Sequence, residues 1–157
     1  MELTGISQYC DLLNVRGAIQ IEYVPIEWVK KPTYSEHPTA TYGHPAIETI
    51  TDRDWLKCFV LVGDRYWSEN NNNTVHGEIS DVAISAMLPN HTAALSQELG
   101  RTAKHRFLVR LTDMNQQQWI LGTLQMPLSF QSSYNSQTST HQIRWIGKQR
   151  RRAVGLP

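Results

Sequence analysis

From His105 to Phe130 the chain reads HRFLVRLTDMNQQQWILGTLQMPLSF, and apolar and polar positions alternate through most of it. Phe107, Val109 and Leu111 alternate with Arg106, Leu108, Arg110 and Thr112. A period of two stands successive side chains on opposite faces of an extended strand. Trp119 and Leu121 then alternate with Gln118 and Ile120. Between the two runs stands Asp113-Met114-Asn115, residues that tolerate turn and left-handed conformations. The pattern predicts a β-hairpin with one apolar and one mixed face. Pro127 withholds a backbone donor, so it bends the next strand or confines it to an edge.

The same alternation recurs along the chain. Ile19, Ile21 and Tyr23 oppose Gln20 and Glu22, which predicts a half-buried strand over Ala18 to Val24, interrupted at Pro25. Leu56 to Val62 is almost wholly apolar and reads as a central strand. Asn70 to Asn73 reads as a connection. Val75 to Leu88 is β-like, with Glu78, Ser80, Val82 and Ile84 on one side, Ile79, Asp81 and Ala83 on the other, and Gly77 marking a bulge. Gln131 to Ser136 reads as a loop. The final strand is Thr138 to Ile146, with His141, Ile143 and Trp145 on one face. One helix is expected from Asn90 to Thr102, capped by Asn90 or Thr92 and ended at Gly100. Leu95 and Leu99 share a face, and a helix so short must dock on a sheet to persist.

Seven or eight short strands with one packed helix predict a mainly β fold: a single-domain β-sandwich or barrel over residues 1–147, with a basic C-terminal tail over 148–157. Residues 1–16 read as a short helix or an arm. Residues 30–46 form a long loop in which Pro32, Pro38 and Pro45 block regular ladders. Loops of that length inside a domain usually serve a function. Tyr34, His37, Tyr42 and His44 give this one aromatic contact groups suited to a neighbouring subunit.

Composition sharpens the picture. Charged residues make up 18% of the 157, against about 25% in an ordinary soluble domain, and amides and hydroxyls take their place. Such a surface loses less on desolvation than a charged one and suits contact with other proteins. The net charge of +1 is uneven. Lys148, Arg150, Arg151 and Arg152 place four cations in the tail, and the rest of the chain is mildly acidic. These cations are candidates for docking on an acidic patch of a neighbouring subunit, with phosphate neutralisation as the alternative. The segment MELTGISQYC shows no signal-peptide pattern, and the longest apolar run, Cys58 to Val62, is far shorter than a membrane span. The expectation is a soluble protein made in the cytoplasm, without a membrane partner.

Candidate chemistry is sparse. His37 and His44 with Glu36 are residue types that hold zinc, yet no second ligand motif accompanies them. Asp52 and Asp54 flank Arg53 and could divide acid and base roles, although a polar turn explains them as well. There is no GxSxG elbow, no CxxC pair and no glycine-rich phosphate loop. No catalytic residue, metal or cofactor is assigned, and the chain is expected to be non-enzymatic.

The segment HRFLVRLTDMNQQQWILGTLQMPLSF, the Ser/Thr-rich stretch after it and HQIRWIGKQRRR together resemble small structural proteins of bacteriophage and prophage tail or neck modules. The resemblance covers about the last third of the chain. It departs at the turn, where Gln116 stands in the place glycine commonly takes after Asn115. It implies a β core that forms rings and grips adjacent virion subunits through loops and termini, with no active site. The expected function is a subunit of a phage tail, tail tip or head–tail connector, found in the virion and made in the bacterial host cytoplasm. The rivals are a nucleic-acid-binding β-barrel using Arg150 to Arg152, and a hydrolase using Asp52, Asp54 or His37.

Overall fold

Alternation of side chains sets most of the architecture. The computed structural model describes residues 20–30, 49–58, 66–88, 92–112, 117–149 and 154–156. Within them run β1 (Gln20–Pro25), a 3-10 turn (Ile26–Trp28), β2 (Leu56–Cys58), β3 (Tyr66–Thr74), β4 (Gly77–Leu88) and α1 (Ala93–Thr102). Then come β5 (Arg106–Thr112), β6 (Gln118–Leu121), β7 (Leu128–Asn135), β8 (Thr140–Gln149) and β9 (Val154–Leu156). All pairings among these strands are antiparallel, in the order β2-β1-β5-β7-β8-β4-β3, with β6 beside β5 and β9 beside β6. The fold is mainly β, a single-domain sandwich or barrel with one helix packed on it.

Two connected ladders meet at a corner. One flank of β5 pairs with β1 from Phe107 to Thr112. Its other flank is shared: Val109 to Thr112 pair with β6, and Arg106 and Phe107 pair with β7. Between them the chain leaves the ladder at Gly122, where φ is +86°, and turns on a bond of 3.2 Å from Thr123 N to Met126 O. The neighbouring strand divides at the same level, β8 following β7 and β9 following β6. Leu128, fully buried, fills this corner between two glycines. A Cβ at Gly122 would stand 3.2 Å from Leu128 Cγ, and one at Gly147 would stand 2.7 Å from Leu128 Cδ2. Gln149 Oε1 accepts the Gly122 N–H at 3.0 Å, satisfying a buried donor that the bend removes from the ladder.

The inward phase matches the expected one. Ile21, Tyr23, Val82, Ile84, Phe107, Val109, Leu111, Ile143 and Trp145 are all buried in one core. Tyr23, Phe107, Phe130 and Trp145 meet at centroid distances of 5.1 to 6.4 Å in edge or tilted contacts, the arrangement that ring quadrupoles favour. Leu95 and Leu99 of α1 join that core. Thr92 Oγ1 accepts the Leu95 N–H at 3.1 Å and caps the helix. A smaller cluster of Val24, Val29 and Leu108 covers the opposite face of β1 and β5, so Leu108 is buried although it stands on the mixed face of its strand. Cys58 is a buried thiol, and Cys10 lies outside the described residues.

Four expectations are corrected. Asn70 to Asn73 belong to β3, because each pairs with a β4 residue between Glu78 and Asp81. Gln131 to Asn135 continue β7, held by β8 through Asn135↔Thr140. Leu56–Cys58 lies at the end of the strand order and not at its centre. The helix passes Gly100 and ends at Thr102, since Ala103 N still donates to Leu99 O at 3.0 Å.

Candidate interaction site

Residues opposite one another across a ladder share a face. The outer face of the β7-β8-β4-β3 ladder therefore carries Ser129, Gln131, Ser133 and Asn135 on β7, and Thr140, Gln142, Arg144, Ile146 and Lys148 on β8. It carries Asp81, Ala83, Ser85 and Met87 on β4, and Ser68, Asn70 and Asn72 on β3. Amides and hydroxyls dominate it. Gln142 Nε2 donates to Ser85 Oγ at 3.3 Å, and Ser129 Oγ donates to Ile146 O at 3.2 Å.

Two open depressions mark this face. One, of about 480 Å³, is lined by Met87, Ser133, Asn135, Gln137, Thr140 and Gln142 among others, and among the described residues no charged side chain lines it. The second, of about 340 Å³, lies among Ser68, Asn70, Asp81, Ala83, Ile146 and Lys148. In it Lys148 Nζ stands 3.8 Å from Asp81 Oδ1, and Asn72 Nδ2 donates to Asp81 Oδ2 at 3.1 Å. The Asp81 carboxylate thus joins the edge strand to β8.

Beyond this face β3 and β4 continue as a two-stranded arm. Among the described residues β8 accompanies β4 from Ser80 to Leu88, which leaves the pairs from Asn72↔Ile79 to Thr74↔Gly77 as a ribbon of two strands, and every residue from Asn70 to Glu78 is exposed. The arm closes on the two residues Val75 and His76 between the pair Thr74↔Gly77. Thr74 Oγ1 donates to Gly77 O at 2.8 Å and accepts the His76 N–H at 3.2 Å. Gly77 takes φ +108°, so its place is at the hairpin end and not at a bulge inside a strand. An isolated two-stranded ribbon is marginal in water. This one is stiffened by the Asn72–Asp81 bond on one face and by Ser80 Oγ donating to Asn71 Oδ1 on the other. Val75 at its tip is 99% exposed, a β-branched apolar side chain held away from the body.

A polar cluster stands on the outer face of β1 and β5. Arg110 Nε donates to Glu22 Oε2 at 2.6 Å, and its guanidinium lies 4.6 Å above the Trp55 ring. Arg53 lies likewise 4.7 Å above Trp28. These contacts pin the 49–58 segment against the sheet.

Of the residues singled out from sequence, Lys148 lies on the polar face against Asp81. Tyr34, His37, Tyr42, His44, Arg150, Arg151 and Arg152 lie outside the described residues, as does Glu36. Asp54 Oδ1 accepts the Trp55 N–H at 2.7 Å, and Asp52 sits in the preceding turn with φ +63°. Neither lines a described depression. Among the described residues no group of three His, Cys, Asp or Glu side chains could hold a metal, and no helix is long and apolar enough to cross a membrane. The arm and Asp81 were missed from sequence. Their one signal was an amide run of strand length directly before the alternating β4. The chain matches no family model, no curated protein and no solved structure.

Proposed function

We propose that this chain is a non-enzymatic structural subunit of a phage virion, acting in a tail, tail tip or head–tail connector by packing against copies of itself and neighbouring virion proteins. The observation that carries the reading is the β3–β4 arm, a stiffened ribbon that runs on from Asn72 and Ile79 with no third strand among the described residues and holds Val75 in solvent. A projecting ribbon gains its stability from what it lies against. The amide-rich outer face beside it supports the same reading, since uncharged donors and acceptors lose little when a second protein surface covers them. The resemblance of the last third of the chain to tail and neck proteins points to the virion as the setting.

Assembly proceeds through closed rings, with the residue 30–46 loop (Tyr34, His37, Tyr42, His44) and the basic residues Lys148, Arg150, Arg151 and Arg152 gripping adjacent subunits. No cofactor takes part. The protein is made in the bacterial host cytoplasm and ends in the particle. Light scattering after size exclusion, with negative-stain imaging, tests this on the chain alone and with the products of neighbouring genes. Rings are expected. A chain that stays monomeric in both settings rules the reading out.

A further inference from the structure

Strand β3 is nine residues long, contains no proline and no lysine, and pairs on one side with β4. It ends the strand order. Among the described residues no strand lies on its other side. Natural edge strands of this length are normally blunted by lysine, proline or a bulge, because unpaired backbone groups template another strand. This edge has no lysine, proline or bulge; its one charge is Glu69, on the face of the buried Val82, which leaves the run from Asn70 to Thr74 uncharged.

We infer that the β3 edge is a self-pairing surface, and that a second copy of this chain docks there antiparallel about a twofold axis at Asn71. The inference rests on the structural-subunit reading and specifies one of its contacts. An asparagine amide carries both donors and an acceptor, so an amide run is complementary to itself when reversed. A twofold contact demands that self-complementarity, because the same patch serves both subunits.

Centred on Asn71, the pairing sets Asn71 opposite its own copy and Asn70 opposite the second copy's Asn72. Glu69 then falls opposite Asn73, so the two Glu69 charges do not oppose each other. The exposed Val75 falls opposite the second copy's Trp67, a half-buried ring with apolar surface to offer. Edge pairing joins subunits two by two and leaves ring contacts to other surfaces.

Two variants of the full chain test this at micromolar concentration. Asn71→Lys places like charges directly opposite each other on the axis, which opposes cross-strand pairing. It is expected to weaken dimerisation about tenfold or more while the far-ultraviolet dichroism stays unchanged. Asn71→Cys is expected to form a disulfide-linked dimer on mild oxidation, with Asn73→Cys and the parent chain as controls. Cross-linking at position 73 equal to that at 71 overturns the axis. Higher assemblies with unchanged dimer affinity in Asn71→Lys overturn the edge pairing and leave the subunit reading standing. A parent that is monomeric alone yet joins rings with neighbouring proteins does the same.

Discussion

The Trp67 ring on β3 packs against the Trp119 ring on β6 at a centroid distance of 5.5 Å and an interplanar angle of 40°. The two strands belong to different ladders and meet at no hydrogen bond, so this contact helps to close the body between its two ends. Removing either ring with Trp67→Ala or Trp119→Ala is expected to destabilise the fold by about 2 kcal/mol, since both are half-buried. The double variant should lose about 1 kcal/mol less than the sum of the singles. Urea titration of the four-member cycle measures that coupling, and strict additivity means the rings do not act together.

Gly147 is glycine because Leu128 occupies the place of its missing Cβ, 2.7 Å away. Leu128 is fully buried, so its Cδ2 can give way only by disturbing the packing around it. Gly147→Ala is therefore expected to lower stability by about 2 kcal/mol, or a Tm fall of roughly 4–8 °C. Gly147→Ala combined with Leu128→Ala should lose less than the two separately. Scanning calorimetry on the three variants distinguishes the clash from a general backbone effect.

Arg110 serves two partners at once, the Glu22 carboxylate at 2.6 Å and the Trp55 face at 4.6 Å. Lysine keeps the charge but lacks the planar group that does both. Arg110→Lys is expected to cost about 1–2 kcal/mol and to raise protease cleavage within residues 49–58, whose docking depends on that stack. A thermal shift of zero with unchanged cleavage would show that Trp55 is held by its apolar neighbours alone.

Glu98 lies on the inward face of α1 with its side chain fully buried, and neither of its oxygens accepts a hydrogen bond. Arg101, half-exposed, approaches to 3.5 Å. A buried carboxylate so poorly supported weakens the helix contact. Glu98→Leu is expected to stabilise the protein by about 1 kcal/mol, visible as a higher urea midpoint with an unchanged slope. Destabilisation instead would mean that the carboxylate holds the helix in place.

Legibility of the fold in the sequence followed burial. Ile21 and Tyr23, Phe107 to Leu111, and Ile143 and Trp145 announce their faces because one side of each strand meets the core. Thr92 announces the helix start because its hydroxyl oxygen is the cap. Asn70 to Asn73 and Gln131 to Asn135 gave no strand signal. Their side chains meet solvent on both faces, and their extended form comes from pairing with the strand each turns back onto, which an alternation of apolar and polar positions does not record. Leu108 stands on the mixed face and is buried only because the segments around Val29 and Trp55 fold back over it. Of the expected contact residues, Lys148 alone falls among the described residues, and its partner Asp81 could not be read locally, since the pair is brought together by β4–β8 register.

The arm from Asn72 to Ile79 stands apart from the packed interior, and the residues from Asn70 to Glu78 are all exposed. On the proposed reading, substitutions along it are shielded from the selection that guards the core, and a lineage could exchange one docking preference for another without relearning how to fold. Binding specificity and thermodynamic robustness become separately tunable, with the junction near Ser80 as the border between them.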